Sequence, residues 1–457
     1  MLSLAKRSAV LPPRSPREVA VLLRSHGLYR PNTVVFPVLD NARLNPNYVD
    51  SMLEMHLGTP SPFEIPSTSS SSSSSSATLF SAAAAAAARS FSYETGDHVG
   101  VYPRNDPDLI SRLAARCGFD LDDVLTTHTT PTKKSPLPGG LTVREALTYG
   151  LEVQSAPKVQ AVRELAAAAR DPKERRMLEQ LVQQPQLYRE YVWKDDRHVI
   201  GLLEEFPSID LSFLTLAQHV LPPIQPRFYS ISSSSLQYPE DVHVTYRWVH
   251  YKAVSGAERQ GVSTRYLKTL SPTAPAGTEQ EAFGFMRTSS FRQPSSPDTP
   301  VVMIAGGSGI APLKAFLQER LFLVKTPGVR YGPGILLFGI RNPDDLVYSS
   351  LIQDCLKTGA LTEAHISFSS PPNPSSPHQY EPRFVAADIT NNAPSIWKAL
   401  SDGAYVYMWG GASAFAATCV KSLKGVIQTR GKLDAQGSED YLLSLMRQRR
   451  YMEDLSD

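Results

Sequence analysis

Apolar and polar residues alternate with period two near both ends of the first half of the chain, and with a period of three to four between them. "NTVVFPVLDNARL" (32–44) and "SFSYETGDHVGVYP" (90–103) read as strands ending in turn residues. From about Asp106 to His219 the spacing turns helical. "DPDLISRLAARCGF" opens on an Asp-Pro start signal, and in "LTVREALTYGLEV" Thr142 and Glu145 form a capping box. "PKVQAVRELAAAAR" and "DPKERRMLEQLVQQ" continue the pattern. After Pro226 the reading returns to strands in "RFYSIS", "DVHVTYRWVHYK" and "GVSTRYLKTL". From Pro300 onward strands, glycine turns and helices alternate: "PVVMIAGGSGIAPLKAFLQERL", "GILLFGIR", "AHISFS" and "AYVYMWGGASAFAATCVKSLKGVI". That is the rhythm of a parallel sheet. The predicted order is therefore β, an all-helical block, β again, then α/β.

Two stretches fall outside this pattern. "STSSSSSSSS" (67–76) and seven alanines (82–88) are low complexity, and the serines have nothing to bury against their ordering entropy. Strand-like segments flank them, so 67–88 reads as an insert within one domain. The first 30 residues carry Lys6, Arg7, Arg14, Arg17, Arg24 and Arg30 against the single acid Glu18. This is the composition of an organelle transit peptide, mitochondrial above all, and also of a plain disordered leader, with Pro12, Pro13 and Pro16 breaking any helix early. Without import the expected location is cytoplasmic.

A length of 457 residues allows two to four domains, and a net charge of +2 points to no nucleic-acid partner. Cys117, Cys355 and Cys419 lie far apart in no metal-binding pattern, which fits a reducing compartment. No apolar run approaches the roughly 18 residues that span a bilayer.

Chemistry concentrates in two places. In "RFYSIS", Arg227 and Tyr229 share one face of a strand, while Phe228 and Ser230 share the other. A cation beside a flat ring suits a ligand with a phosphate and a ring; a surface strand with Arg packed on Tyr reads the same. "GGSG" (306–309) lies between a strand and a helix, where glycines let backbone N–H groups approach a phosphate. Structural turns use the same residues.

Taken in order, "YETGDHVGVYP", "LTVREALTYGL", "RFYSISSSS", "GVSTRYL", "GGSGIAPLKAFLQER", "LLFGIR", "YVYMWGGASAFA" and "RRYMEDL" resemble the FAD/NADPH reductase half of the diflavin reductases. The nearest types are NADPH–cytochrome P450 reductase and the sulfite reductase flavoprotein. The resemblance covers roughly residues 31–457. It implies a ferredoxin-reductase-like fold in three parts. An antiparallel β-barrel for FAD takes 31–105 and 221–298, an all-helical connecting domain takes 106–220, and a Rossmann-like parallel-sheet domain for the nicotinamide nucleotide takes 299–457. It further implies that Arg227 binds the FAD pyrophosphate, Tyr229 stacks on the isoalloxazine and Ser230 lies near the flavin N5, with Phe228 in the same run. Gly261, Val262, Ser263 and Thr264 complete the flavin phosphate site, and Thr245, Tyr246 and Arg247 add a flavin contact. Gly307, Ser308 and Gly309 take the nucleotide pyrophosphate, and Arg341, Ser369, Ser370, Arg383 and Gly410 belong to the same nucleotide site.

The departures are specific. No flavodoxin-like FMN segment stands in this sequence, so electrons are expected to leave FAD for a separate flavodoxin-like or haem acceptor. "YMWGGA" has Trp409 where the family has a cysteine beside the nicotinamide, and Gly411 where it has Asp. Asp454 is followed by Leu455 and Ser456, not by the family's flavin-shielding aromatic residue. Around the NADPH 2′-phosphate, Ser370 replaces Arg, Pro382 replaces Lys and Phe384 replaces Tyr, leaving Arg383. The expected catalytic set is Ser230, Asp454 and Trp409, with the Trp409 indole filling part of the nicotinamide subsite or else packing as core. The expected function is an FAD-dependent reductase using NADPH or NADH, with activity reduced by these changes. The alternative is a catalytically degenerate FAD-binding assembly protein.

Overall fold

A computed structural model describes residues 2–6, 14–45, 52–61, 91–127, 136–274, 280–372, 380–411 and 413–456. The expected insert, 67–88, lies outside the described residues. In chain order the strands begin with β1 (Leu2–Ala5), β2 (Val34–Arg43), β3 (Met52–Leu57), β4 (His98–Tyr102) and β5 (Val124–Thr127). They continue with β6 (Arg227–Ser230), β7 (Val242–Arg247), β8 (His250–Lys252), β9 (Glu258–Gln260) and β10 (Glu281–Arg287). The last five are β11 (Val301–Gly306), β12 (Gly334–Ile340), β13 (Glu363–Phe368), β14 (Tyr405–Gly411) and β15 (Tyr451–Ser456).

Six strands form an antiparallel sheet in the order β6-β4-β10-β2-β3-β7. A bridge from Ile231 to Val244 ties the chain just past β6 to β7, so the two ends of the sheet meet. Phe36, Met55, Val99, Val101, Val244 and Leu267 fill the space inside. β3 and β4, which flank the insert, belong to this one sheet, as a loop interrupting a domain requires. They are not neighbours, because β10 and β2 lie between them. The connection therefore crosses three inter-strand gaps, about 14 Å, and no tight hairpin turn can replace it.

The helical block follows its sequence signals. Asp106 caps the helix Pro107–Cys117, and Gly118 closes it with φ +70°. The Thr142–Glu145 capping box forms in both directions, at 2.8 and 3.1 Å. Leu141, Leu147, Val162, Leu165, Leu178 and Leu203 are buried in one core.

Two expectations are corrected here. The basic leader belongs to the fold from Ser15 onward. Pro16 does not break a helix but starts the helix Pro16–His26, because a first-turn proline loses no intrahelical hydrogen bond. Ser15 and Glu18 cap it reciprocally, and Val19, Ala20 and Leu23 enter the core of the helical block. Its basic residues find acids: Arg14 meets Glu145 at 3.0 Å, and Arg17 pairs with Glu281. "GVSTRYLKTL", expected as a strand, is the helix Val262–Thr269. Val262 and Tyr266 sit four residues apart, as do Ser263 and Leu267, and all four are buried, which is helical spacing.

The C-terminal part is a parallel sheet in the order β13-β12-β11-β14-β15. The chain runs outward from β11 through β12 to β13, then returns to β14 on the other side of β11. Helices flank the sheet, the helix Ile310–Leu323 following β11 directly. The reversal between β11 and β14 opens a crevice at the C-terminal ends of the strands. Among the described residues no helix is long and apolar enough to cross a membrane.

Candidate functional site

At that reversal the ends of β11, β12 and β14 open on a cavity of about 580 Å³. The turn after β11 contributes Gly306, Gly307 and Ser308, β12 leads to Arg341, and β13 leads to Ser369. Gly307 has φ +54°, and a Cβ built on it would meet nothing within 4 Å. A bare backbone therefore faces the cavity, followed by a helix whose N-terminus has no side-chain cap. This arrangement fits a phosphate. Gly309 is set behind the cavity wall, since a Cβ there would fall 2.5 Å from the Trp409 carbonyl oxygen. Gly410 packs in the same way, with the Phe415 ring 2.8 Å from its would-be Cβ. These two glycines permit close packing, and Gly306 and Gly411 take their places on the cavity wall.

Arg383 and Phe384 form another part of that wall. Arg383 is committed to the buried Asp388, Nε to Oδ1 at 2.7 Å, and Asp388 also accepts from the Ser367 hydroxyl. Phe384 is 71% exposed, an uncommonly open aromatic face beside a cavity. Ser370 does not reach the lining; its N–H bonds to the Arg341 carbonyl at 2.8 Å.

The flavin-side residues come together around β6. The Tyr229 hydroxyl donates to Ser263 Oγ at 2.7 Å, and its ring meets Tyr246 edge-on. Gly261 opens the helix Val262–Thr269 without a side-chain cap. The Thr264 hydroxyl accepts from Val249 N–H at 3.1 Å, which braces the turn before the helix. Arg227 is held by the buried Glu152 at 2.6 Å, a partner the motif did not announce. Phe228 takes the opposite face, between Arg30 and Arg287. A cation, an aromatic ring and an uncapped helix start fit a flavin nucleotide. A second cavity, about 420 Å³, borders the same helix and is lined by Gln154, Arg197, Arg259 and Arg265 among others.

Ser230 and Asp454 meet as expected across the two sheets, Oγ donating to Oδ2 at 2.8 Å. His98, the cross-strand partner of Ser230, reaches the same oxygen at 3.3 Å. It stands within "YETGDHVGVYP", but only the pairing of β4 with β6 shows its place. Burial pushes the Asp454 carboxyl up. Hydrogen bonds from His98 and Ser230, with the charges of His98 and Arg287, outweigh this and hold it below the usual carboxylate value.

Three placements are corrected. Trp409 is fully buried and stands outside the nucleotide cavity. Its ring lies among Tyr407, Phe291 and Phe316 at centroid distances of 5.1–5.5 Å. On β14 its face is covered by the helix Ile310–Leu323, so it is core and not a catalytic group. Thr245 and Tyr246 are buried within the first sheet, where Thr245 bonds Ser232 and Tyr348, and Tyr246 bonds Asn41. Arg247, expected at the flavin, lines the cavity at the ends of β11, β12 and β14.

The fold is that of a flavin-binding domain joined to a nicotinamide-nucleotide-binding domain. The family description "FAD binding domain" matches residues 70–266, and "Oxidoreductase NAD-binding domain" matches 303–421. NADPH–cytochrome P450 reductase of Mus musculus is 33% identical over 372 residues, covering 79% of this chain and 54% of that protein. The proteins of the same name from Drosophila melanogaster and Homo sapiens are 33% and 32% identical, each over 79% of this chain and 53% and 54% of their own lengths. The chain carries these FAD-binding and NAD-binding domains and is similar to the corresponding half of the NADPH–cytochrome P450 reductases. It spans about half the length of the relatives it matches, and their FMN domain is absent from the match.

Proposed function

We propose that this chain takes electrons from NADPH or NADH and passes them through FAD, one at a time, to a separate flavodoxin-like or haem protein. The flavin, when bound, supplies the exchange between two-electron and one-electron chemistry. The chain's own residues supply binding and charge. Arg227, Tyr229 and the first turn of the helix Val262–Thr269 hold the flavin nucleotide, and the Gly306–Ser308 turn holds the dinucleotide phosphate.

The observation that carries this reading is the meeting of Ser230, His98 and Asp454, three strands from two domains converging on one carboxylate oxygen. A carboxylate kept ionised stabilises positive charge beside it, and a nicotinamide ring gains such charge as it gives up hydride. The Ser230 hydroxyl keeps its proton directed at Asp454 Oδ2. Two features favour the second reading, a degenerate binding protein: Arg227 is already paired with Glu152, and Trp409 stands in the family's thiol position. Any organelle address lies ahead of Ser15, because the helix after it is part of the core.

The deciding experiment is the flavin spectrum of purified protein, identification of the released flavin as FAD, and anaerobic bleaching by NADPH and NADH. A colourless protein that takes up no added FAD ends the enzyme reading. Bound FAD that neither nucleotide bleaches selects the binding protein.

A further inference from the structure

Arg247 closes β7 and lies in register with Met52 of β3. Both residues line the nucleotide cavity, although they belong to the antiparallel sheet. β7 packs against the Gly307–Gly309 turn, and Arg247 shares the cavity lining with Gly306, Gly307 and Ser308. Arg247 is half-buried, and among the described residues its guanidinium makes no hydrogen bond or ion pair. Arg383, by contrast, already has Asp388. A partly desolvated guanidinium without a counter-charge is unfavourable until an anion arrives, and its planar fork matches phosphate oxygens. In the same cavity lining the backbone of Gly306–Ser308 offers the complementary donors.

We propose that Arg247 grips the pyrophosphate of the nicotinamide nucleotide from the flavin-domain side of the cavity. The inference rests on the nucleotide reading given above. The pyrophosphate then lies between a cation of one domain and the glycine turn of the other, so nucleotide binding ties the two domains together. The contact is common to NADPH and NADH and strengthens both alike. With Arg383 engaged by Asp388, this grip contributes affinity without selecting for the 2′-phosphate.

The test uses FAD-loaded protein, with Arg247→Met and Arg247→Lys beside the wild type. Calorimetric titration with NADP⁺, NAD⁺, ADP-ribose and adenosine 2′-monophosphate separates the phosphates. Arg247→Met should weaken the first three by a common factor, about ten- to hundredfold. It should leave adenosine 2′-monophosphate, which has no pyrophosphate, unchanged, and FAD per chain unchanged. Arg247→Lys should recover part of the loss. Loss of FAD with intact nucleotide binding would return Arg247 to the flavin and overturn the proposal. Weakening confined to NADP⁺ and adenosine 2′-monophosphate would make it a 2′-phosphate ligand, which also overturns it, as does unchanged affinity throughout. A wild type that binds none of the four sinks the nucleotide reading and this proposal together.

Discussion

Trp409 and Asp454 are register partners on neighbouring parallel strands, and they illustrate what a single position contributes. Trp409 carries packing: its indole fills the space between β14 and the helix Ile310–Leu323, and among the described residues its Nε1 has no hydrogen-bond partner. Trp409→Ala should destabilise the protein by about 3–5 kcal/mol in denaturant titration. Trp409→Phe should cost markedly less, because it keeps an aromatic ring and removes an orphaned donor. Neither should speed flavin reduction; a faster Trp409→Cys or Trp409→Ala would return the residue to the nicotinamide subsite. Asp454 carries charge. Asp454→Asn should keep FAD but slow its reduction by NADPH about a hundredfold, the scale of one lost electrostatic group, read by stopped-flow absorbance at matched flavin occupancy.

At the scale of elements, helix ends govern pH dependence. His198 caps the helix Val199–Glu205, its Nδ1 accepting from Gly201 N–H at 3.2 Å. Burial, assisted by the Arg259 and Arg112 charges, pushes its pKa down to about 4 from an ordinary 6.5. Between those values the unfolded chain takes up a proton that the folded chain refuses. Stability is therefore full above pH 6.5 and falls as the pH drops toward 4. By pH 4.5 the loss is on the order of 2 kcal/mol. His198→Asn keeps a capping acceptor and removes the titration. Its thermal melts should lose this part of the acid dependence; parallel curves for both proteins would show that His198 does not bear it.

At the scale of the whole molecule, a buried charged contact joins the two sheets. Lys314, on the helix after β11, reaches Glu54 of β3, with His243 stacked on His56 beside them and the Tyr348 hydroxyl donating to Glu54 at 2.9 Å. Glu54, Lys314 and His243 are all more than nine-tenths buried. Burial pushes the Glu54 carboxyl up, but hydrogen bonds from His243 and His56 and the Lys314 ammonium hold it well below the carboxylate range. Lys314→Met should cost about 3–5 kcal/mol, since it strands a buried charge. Pairing it with Glu54→Leu should recover most of that loss, because an apolar pair of similar volume needs no compensating charge. A double variant as unstable as the sum of the singles would mean that the pair holds nothing together.

Local signals determined much of this architecture. The βα rhythm after Pro300, the Asp106 and Thr142 caps, and the glycine turn at 306–309 depend on spacing and backbone freedom, which neighbours in sequence settle. Ser230 and Asp454 were each singled out by a separate family motif, and their hydrogen bond is made only in the tertiary structure. The rest depended on what packs against what. Pro16 reads as a breaker until Ser15 and Glu18 close a cap and Leu23 finds the helical core. "GVSTRYL" has a strand's composition, yet its apolar residues are buried at helical spacing. Arg247 and Thr245 share one strand and alternate positions, and only the approach of β7 to the Gly307–Gly309 turn puts the guanidinium on the nucleotide cavity. Trp409 occupies a motif position, but the helix laid over β14 makes it core. Sequence period determines which face of an element is apolar; the partner that covers that face is decided by long-range packing, and a side chain's role follows the partner.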